Sequence, residues 1–374
     1  MNATRAIDLE DTDGLLAADR EGLLRAASSA GAQVRAIAAA ADEGGLDSLR
    51  ADDRPRSIIW VAGRGTADTA GMLLAATQGG AASAPIALAS DAPPWVGPLD
   101  VLIIAGDDPG DPGLVGAAAT GVRRGARVVV VAPCEGPLRD STAGRAAVLE
   151  PRLWVPDEFG LSRYLAAGLA TLQTVDPGPS IDLALLADEL DAEALRNSAS
   201  RELFTNPAKT IAARISGGQV ALAGDCAATL ALARHGSSVL LRIAHHVAAA
   251  TGLADAVVAL RATSESGSGS GQAPSSVDAL FHDEEIDGPL PDRLRVLALA
   301  LAGERTVVAA RVAGLDDVYL ITAEDVPEAP GGMGGSGGLV GVLAPGGAAR
   351  VEQQLAVLAV RLEMAAVYLR LVRG

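Results

Sequence analysis

Lysine is almost missing from this 374-residue chain: Lys209 is the only one, and the other fixed positive charges are arginines. With 30 basic against 46 acidic residues the formal net charge is −16. A field of that sign excludes nucleic acid and anionic membrane surfaces as main partners, because both need a basic counter-surface. Arginine in place of lysine, together with abundant alanine, reads as coding bias more than as selection for bidentate anion binding. Cysteine is scarce too. Cys134 and Cys226 stand far apart with no Cys-x-x-Cys spacing, which argues against a zinc ribbon or a disulfide framework and suits a reducing, cytoplasmic compartment. The four histidines, His235, His245, His246 and His282, include no pair three or four residues apart, so no helical zinc motif exists. Neither a metal nor a cofactor is expected. No uninterrupted apolar run reaches membrane-spanning length, and the acidic N-terminal segment is unlike a secretory leader.

What is present is a repeated alternation of strand and helix patterns. Residues Leu15 to Ala41 have loose helical spacing. From Ser57 the strands "SIIWVAG", "PIALAS", "DVLIIAG" and "ARVVVVAP" alternate with the helical stretches "RGTADTAGMLLAAT" and "GLVGAAATGVRRG", and "AAVLEPRLWVP" adds an edge strand. Continuous apolar strands at this spacing imply right-handed βαβ units and a parallel sheet covered on both faces. The order then recurs. "NPAKTIAARISGG" predicts a helix, "QVALAG" a strand, "DCAATLALARHG" and "SSVLLRIAHHVAAAT" helices, "AVVALRA", "RLRVLALAL" and "DDVYLITA" strands, and "ARVEQQLAVLAVRLEMAAVYLRLV" a long terminal helix lying on the sheet. The expected organisation is an N-terminal helical segment over 1–50, a first α/β domain over 51–180 and a second over 181–374. Stretches of glycine and serine from Thr263 and of glycine and proline from Pro327 read as flexible loops.

In open α/β sheets ligands sit beyond the carboxyl ends of the strands, which directs attention to Asp100–Gly113, "DVLIIAGDDPGDPG". The place suits a phosphate and the chemistry does not. A phosphate cradle needs free backbone N–H groups and positive potential, whereas this loop brings Asp107, Asp108 and Asp111, with Asp100 earlier in the stretch. Two readings of the carboxylates stand beside each other: turn formers, or ligands for a divalent cation. The turn "AGRGTAD" after the first strand lacks the third glycine of a dinucleotide fingerprint, which excludes NAD. It reads either as a tight strand-to-helix turn or as a ligand loop. Neither H-E-x-x-H nor a P-loop occurs. His235, His245 and His246 read as structural, the last two on different faces of one helix. His282 in "LFHDEEIDGP" has carboxylates beside it and suits acid–base work.

Two tandem α/β units with "NPAK" at Asn206–Lys209 resemble the bifunctional phosphoglucose/phosphomannose isomerases, built of two sugar isomerase (SIS) domains, and especially their divergent actinobacterial TobH-like relatives. The likeness covers nearly the whole chain from Ser57. It implies two tandem SIS domains, each a doubly wound parallel sheet in an α-β-α sandwich, a sugar phosphate as ligand and a homodimer. It further implies Gly63, Arg64, Gly65, Thr66, Gly106, Asp107, Asp108, Gly110 and Arg163 at the substrate, and His282 with Glu284 or Glu285 as the acid–base groups. Arg64, Arg163 and Arg242 are the arginines that could converge on an anion. Where the family has a hydroxyl-rich S-x-S-G-x-T phosphate loop this chain has "AGDDPGDPG", and near Leu241, where a glutamate base is expected, no carboxylate stands. The resemblance therefore implies either an aldose–ketose isomerase converting glucose 6-phosphate or mannose 6-phosphate to fructose 6-phosphate, or a catalytically silent sugar-phosphate-binding partner protein.

Overall fold

Among the described residues of the computed structural model, 7–176, 181–266, 293–324 and 351–373, every strand runs parallel to its neighbours. β1 (Ser57–Val61), β2 (Ile86–Ala89), β3 (Asp100–Ala105), β4 (Arg127–Val131) and β5 (Ala147–Val148) form one sheet in the order β2-β1-β3-β4-β5. β6 (Val220–Gly224), β7 (Ala249–Gly252), β8 (Arg295–Leu299) and β9 (Val318–Ile321) form a second, ordered β7-β6-β8-β9. The second order repeats the first without its fifth strand. Both are doubly wound, with strand direction of travel reversing between β1 and β3 and between β6 and β8, and ligand crevices in such sheets open at those switch points.

Strand composition sets the layers. β1, β3 and β4 are apolar at consecutive positions and buried on both faces, as interior parallel strands require. Their alternate residues enter different cores. Ile58, Trp60, Val101, Ile103, Val129 and Val131 face a large central core, while Ile59, Val61, Leu102, Ile104, Val128 and Val130 face an outer one. The outer layer of the first sheet consists of α5 (Pro112–Arg123) and α6 (Gly136–Thr142); its inner layer is α4 (Gly65–Gln78) and α7 (Leu161–Val175). The second sheet has α11 (Leu253–Ser266) and α12 (Arg305–Val312) outside, and α10 (Ala227–Ala244) and α13 (Val351–Arg373) inside. The inner helices meet, so both sheets share one continuous core. N-terminal helices α1 (Thr12–Ala18), α2 (Leu23–Ala27) and α3 (Ala30–Asp42) contribute Leu15, Val34 and Ile37 to it, with α3 lying across α7 and α8 (Leu183–Arg196). The "NPAK" stretch starts α9 (Pro207–Ile215), capped by the Asn206 side chain.

α13 is buried without interruption from Leu355 to Leu369. A helix apolar all round is a central one, and this helix lies between α9 and α10 rather than on a sheet surface alone. Its two buried charges are paired, as burial demands. Arg361 holds both oxygens of Glu193 at 2.5 and 3.2 Å and donates to the carbonyls of Thr322 and Ala323. Glu363 faces His235 at 2.9 Å, and burial raises its pKa against the opposing pull of that histidine.

Three local expectations change. "AVVALRA" belongs to α11, where Ala256 and Leu260 point inward four residues apart. "HHVAAAT" leaves the helix: α10 ends at Ala244, His245 turns left-handed at φ +51, and Ala249–Gly252 becomes edge strand β7. His245 and His246 therefore do not share a helix. Finally, α10 is one helix across Gly236, where a Cβ would stand 2.6 Å from Leu222 Cδ1 and 3.0 Å from Leu362 Cδ1. That glycine admits close packing and ends nothing.

Candidate functional site

The crevice between β1 and β3 is framed by the loops that follow them. After β1 come Gly63 and Arg64, then Gly65 and Thr66 as the first turn of α4; after β3 come Gly106, Asp107, Asp108 and Gly110. The two loops adjoin: Arg64 lies 3.7 Å from Asp108, and a Cβ on Gly63 would stand 3.7 Å from Asp111 Oδ2. These sequence-selected residues thus share one mouth. Asp100 does not, because it begins β3 at the other end of the sheet. There it is fully buried, accepting from Arg56, Ser57 and the Gly97 N–H. Burial alone would raise its pKa, and these donors outweigh it and leave the pKa lowered.

Three backbone donors between β3 and the first turn of α5 are already engaged. Asp108 accepts from the Gly110 N–H at 2.8 Å, and Asp111, the N-cap of α5, accepts from the N–H groups of Gly113 and Leu114 at 2.8 and 3.3 Å. Asp followed by proline at the first helical position is a strong helix start. The same geometry places a carboxylate where a phosphate loop would hold its ligand.

A third segment completes the mouth. The turn Asp157–Phe159 precedes α7, and Asp157 faces the start of α4: Thr66 Oγ1 lies 2.9 Å from its main-chain oxygen and 3.1 Å from Oδ1. Gly65 needs its glycine, since φ is +68 and a Cβ would stand 2.8 Å from Asp157 Oδ2. From the other half of the chain, Arg242 in the last turn of α10 reaches Asp157 at 3.5 Å and Glu158 at 2.6 Å. The Asp157 side chain is 13% exposed. Its pKa is raised, first by burial and then by the charge of Asp107, against the pull of Thr66 and Arg242. A carboxyl whose pKa is raised in this way is better suited to proton transfer than an ordinary carboxylate. Tyr164 is fully buried, its ring edge close to Gly160 beside Thr66. The Arg163 guanidinium lies over the ring at 4.4 Å and lowers the hydroxyl pKa by its charge and a hydrogen bond, while burial raises it more.

Arg64 and Arg242 therefore converge on the mouth. Arg163 stacks on Tyr164 and lines a small cavity with Gln33, Ile37, Glu150 and Leu153. His282, Glu284 and Glu285 lie outside the described residues. Asp157 and Glu158 were not marked by any motif; the signal available was an acidic pair after Pro156, directly before a helix. Among the described residues no group of three or more His, Cys, Asp or Glu side chains is arranged to hold a metal ion, and no helix is long and apolar enough to cross a membrane.

No protein-family model matches the chain, and no curated protein matches its sequence. Solved structures do match its shape. A Clostridium difficile 630 protein assigned as a phosphosugar isomerase superposes with a TM-score of 0.59 at 11% identity, covering 94% of this chain and 93% of that one. The C-terminal domain of glucosamine-fructose-6-phosphate aminotransferase from Francisella tularensis gives 0.55 at 10% identity over 100% and 98%. Tagatose-6-phosphate ketose/aldose isomerase from Escherichia coli gives 0.53 at 13% over 99% and 94%. The likeness is one of fold: two parallel α/β units in the arrangement of the SIS-domain phosphosugar isomerases.

Proposed function

We propose that this chain is a phosphosugar-isomerase-like protein that uses the β1–β3 crevice for binding and does not isomerise hexose phosphates. The observation that carries this reading is the self-capped loop: the N–H groups of Gly110, Gly113 and Leu114 are committed to Asp108 and Asp111. A phosphate ester entering there would lose those donors and meet like charge within a few ångströms, a repulsion of about 1 kcal/mol or more per pair even in high dielectric. The start of α4 is no better placed for an anion, because Asp157 already faces it. Gly63, Arg64, Gly65, Thr66, Asp107 and Asp157 are the groups this reading puts at the ligand. A regulatory or partner role, with two chains pairing as a homodimer, accords with a retained fold and an altered loop.

The competing reading is aldose–ketose isomerisation of glucose 6-phosphate or mannose 6-phosphate to fructose 6-phosphate. The raised pKa of Asp157 favours it, since a proton-transferring carboxyl works best near the operating pH; His282 with Glu284 or Glu285 would complete the chemistry. Purified protein incubated with each hexose phosphate and followed by a coupled assay decides between the two. No fructose 6-phosphate above the no-enzyme control is expected; turnover abolished by His282→Ala would establish the isomerase instead.

A further inference from the structure

A second concavity shares no residue with the β1–β3 crevice. It is a groove of about 490 Å³ between the N-terminal helices and α8, lined by Leu16 of α1, Leu24 of α2, Leu195 of α8 and Met364 of α13. Leu24 and Met364 are buried and form its floor, while Leu16 and Leu195 are 56% and 69% exposed at its sides. Single exposed leucines are ordinary. Two that line one concavity above a buried leucine and a buried thioether make a continuous apolar surface, and the volume is that of a small-molecule site. The charges at the groove are unequal in their commitments. Asp191 lines it but is already taken, because Arg35 bridges it to Asp188. Arg25, exposed in the last turn of α2, lines it as well and has no ion pair among the described residues. The uncommitted charge there is therefore positive, in a chain whose net charge is −16.

We propose that this groove binds an aliphatic molecule of medium chain length with a single anionic head, its chain on Leu16, Leu24, Leu195 and Met364 and its head at Arg25. A guanidinium group has donors and no acceptor, so its partner is an oxyanion such as a carboxylate. An ammonium head would face that guanidinium and find Asp191 already paired. The unbranched thioether of Met364 adapts to a flexible chain. A protein partner fits less well, because a stable interface buries roughly 800 Å² on each side, whereas this apolar surface closes into one groove of small-molecule size. The occupant would bridge α1 and α2 to α8, segments far apart in the chain, and so would stabilise their packing by binding the folded state alone.

Titration calorimetry on the full chain tests this, with hexanoate, octanoate, 1-octanol and octylammonium as probes. Octanoate is expected to bind about tenfold more tightly than hexanoate, from the burial of two further methylenes. It should exceed 1-octanol by about threefold to fivefold, the size of an exposed ion pair, and octylammonium by more. Arg25→Gln should abolish the preference of octanoate over 1-octanol and leave 1-octanol binding unchanged. Leu195→Gln, a change at an exposed position that keeps a good helix former, should weaken octanoate and 1-octanol alike by about fourfold or more while the unfolding midpoint stays in place. No saturable octanoate binding, equal affinity for hexanoate and octanoate, or octylammonium binding as tightly as octanoate overturns the inference. So does octanoate binding that Leu195→Gln leaves unchanged. Sedimentation of the ligand-free protein covers the remaining occupant: self-association lost in Leu195→Gln would assign the groove to a second copy of the chain and overturn the small-molecule reading.

Discussion

Replacing Asp111 by alanine tests the loop directly. The Asp111 carboxylate caps α5 through Gly113 and Leu114 and stands 3.7 Å from where a Gly63 Cβ would be. Loss of an N-cap aspartate costs about 1 kcal/mol, and about 2 at most. Pro112 at the first helical position remains and keeps the helix start in place. The variant should therefore fold, with its urea midpoint lowered by that amount when followed by circular dichroism at constant protein concentration. It also frees two N–H groups at a helix N-terminus and removes a negative charge, which converts the position toward an anion site. Inorganic phosphate at ten times its dissociation constant would then return about 1.4 kcal/mol to the variant. The wild type should gain only the general salting effect that chloride- and sulfate-matched controls report. Equal specific stabilisation of wild type and Asp111→Ala by phosphate would refute the reasoning, because it would mean that the capped loop holds the anion as it stands.

Other substitutions report on the frame around the crevice. Gly65→Ala forces a side chain into a left-handed conformation and against Asp157 Oδ2; a loss of about 1–3 kcal/mol should appear in chemical denaturation, and an unchanged midpoint would show that the turn relaxes freely. Arg361→Met leaves Glu193 buried with only Arg196 and Asn197 beside it, so a loss of about 3 kcal/mol is expected, at the low end for a broken buried pair. Adding Glu193→Leu should recover much of that loss, and a double variant as unstable as the single one would contradict the pairing account. Asp100 has a folded-state pKa below its unfolded value, so the stability it contributes is complete above about pH 4 and is lost as pH falls through the lowered folded-state pKa. The stability gap between wild type and Asp100→Asn should accordingly narrow in acid; a gap independent of pH would assign the role of Asp100 to packing alone.

The parallel sheets were legible because buried strands of Val, Ile and Leu carry their signal locally: "SIIWV", "DVLIIA" and "RVVVV" needed no tertiary information. β7 was hidden for the opposite reason. Ala249–Gly252 has weak strand propensity and pairs only because β6 offers it an edge. Gly236 separates two helical stretches in the sequence, and only the approach of Leu222 and Leu362 reveals its purpose. At the crevice the two loops after β1 and β3 followed from the topology rule. Asp157, Glu158 and Arg242 did not, because they come from a turn before α7 and the end of α10, brought together by helix packing between the two halves. The capping role of Asp111 was within reach of sequence, since Asp–Pro before an apolar helical stretch is a start signal.

Phosphorus NMR of glucose 6-phosphate titrated with the wild-type protein tests the central claim most directly, since it reads the phosphate itself. The account predicts a phosphorus resonance unchanged in shift and width and no new fructose 6-phosphate signal. Saturable broadening or shift of that resonance, reduced by changing Asp108 or Asp111, would contradict it by placing the phosphate in the loop those aspartates close.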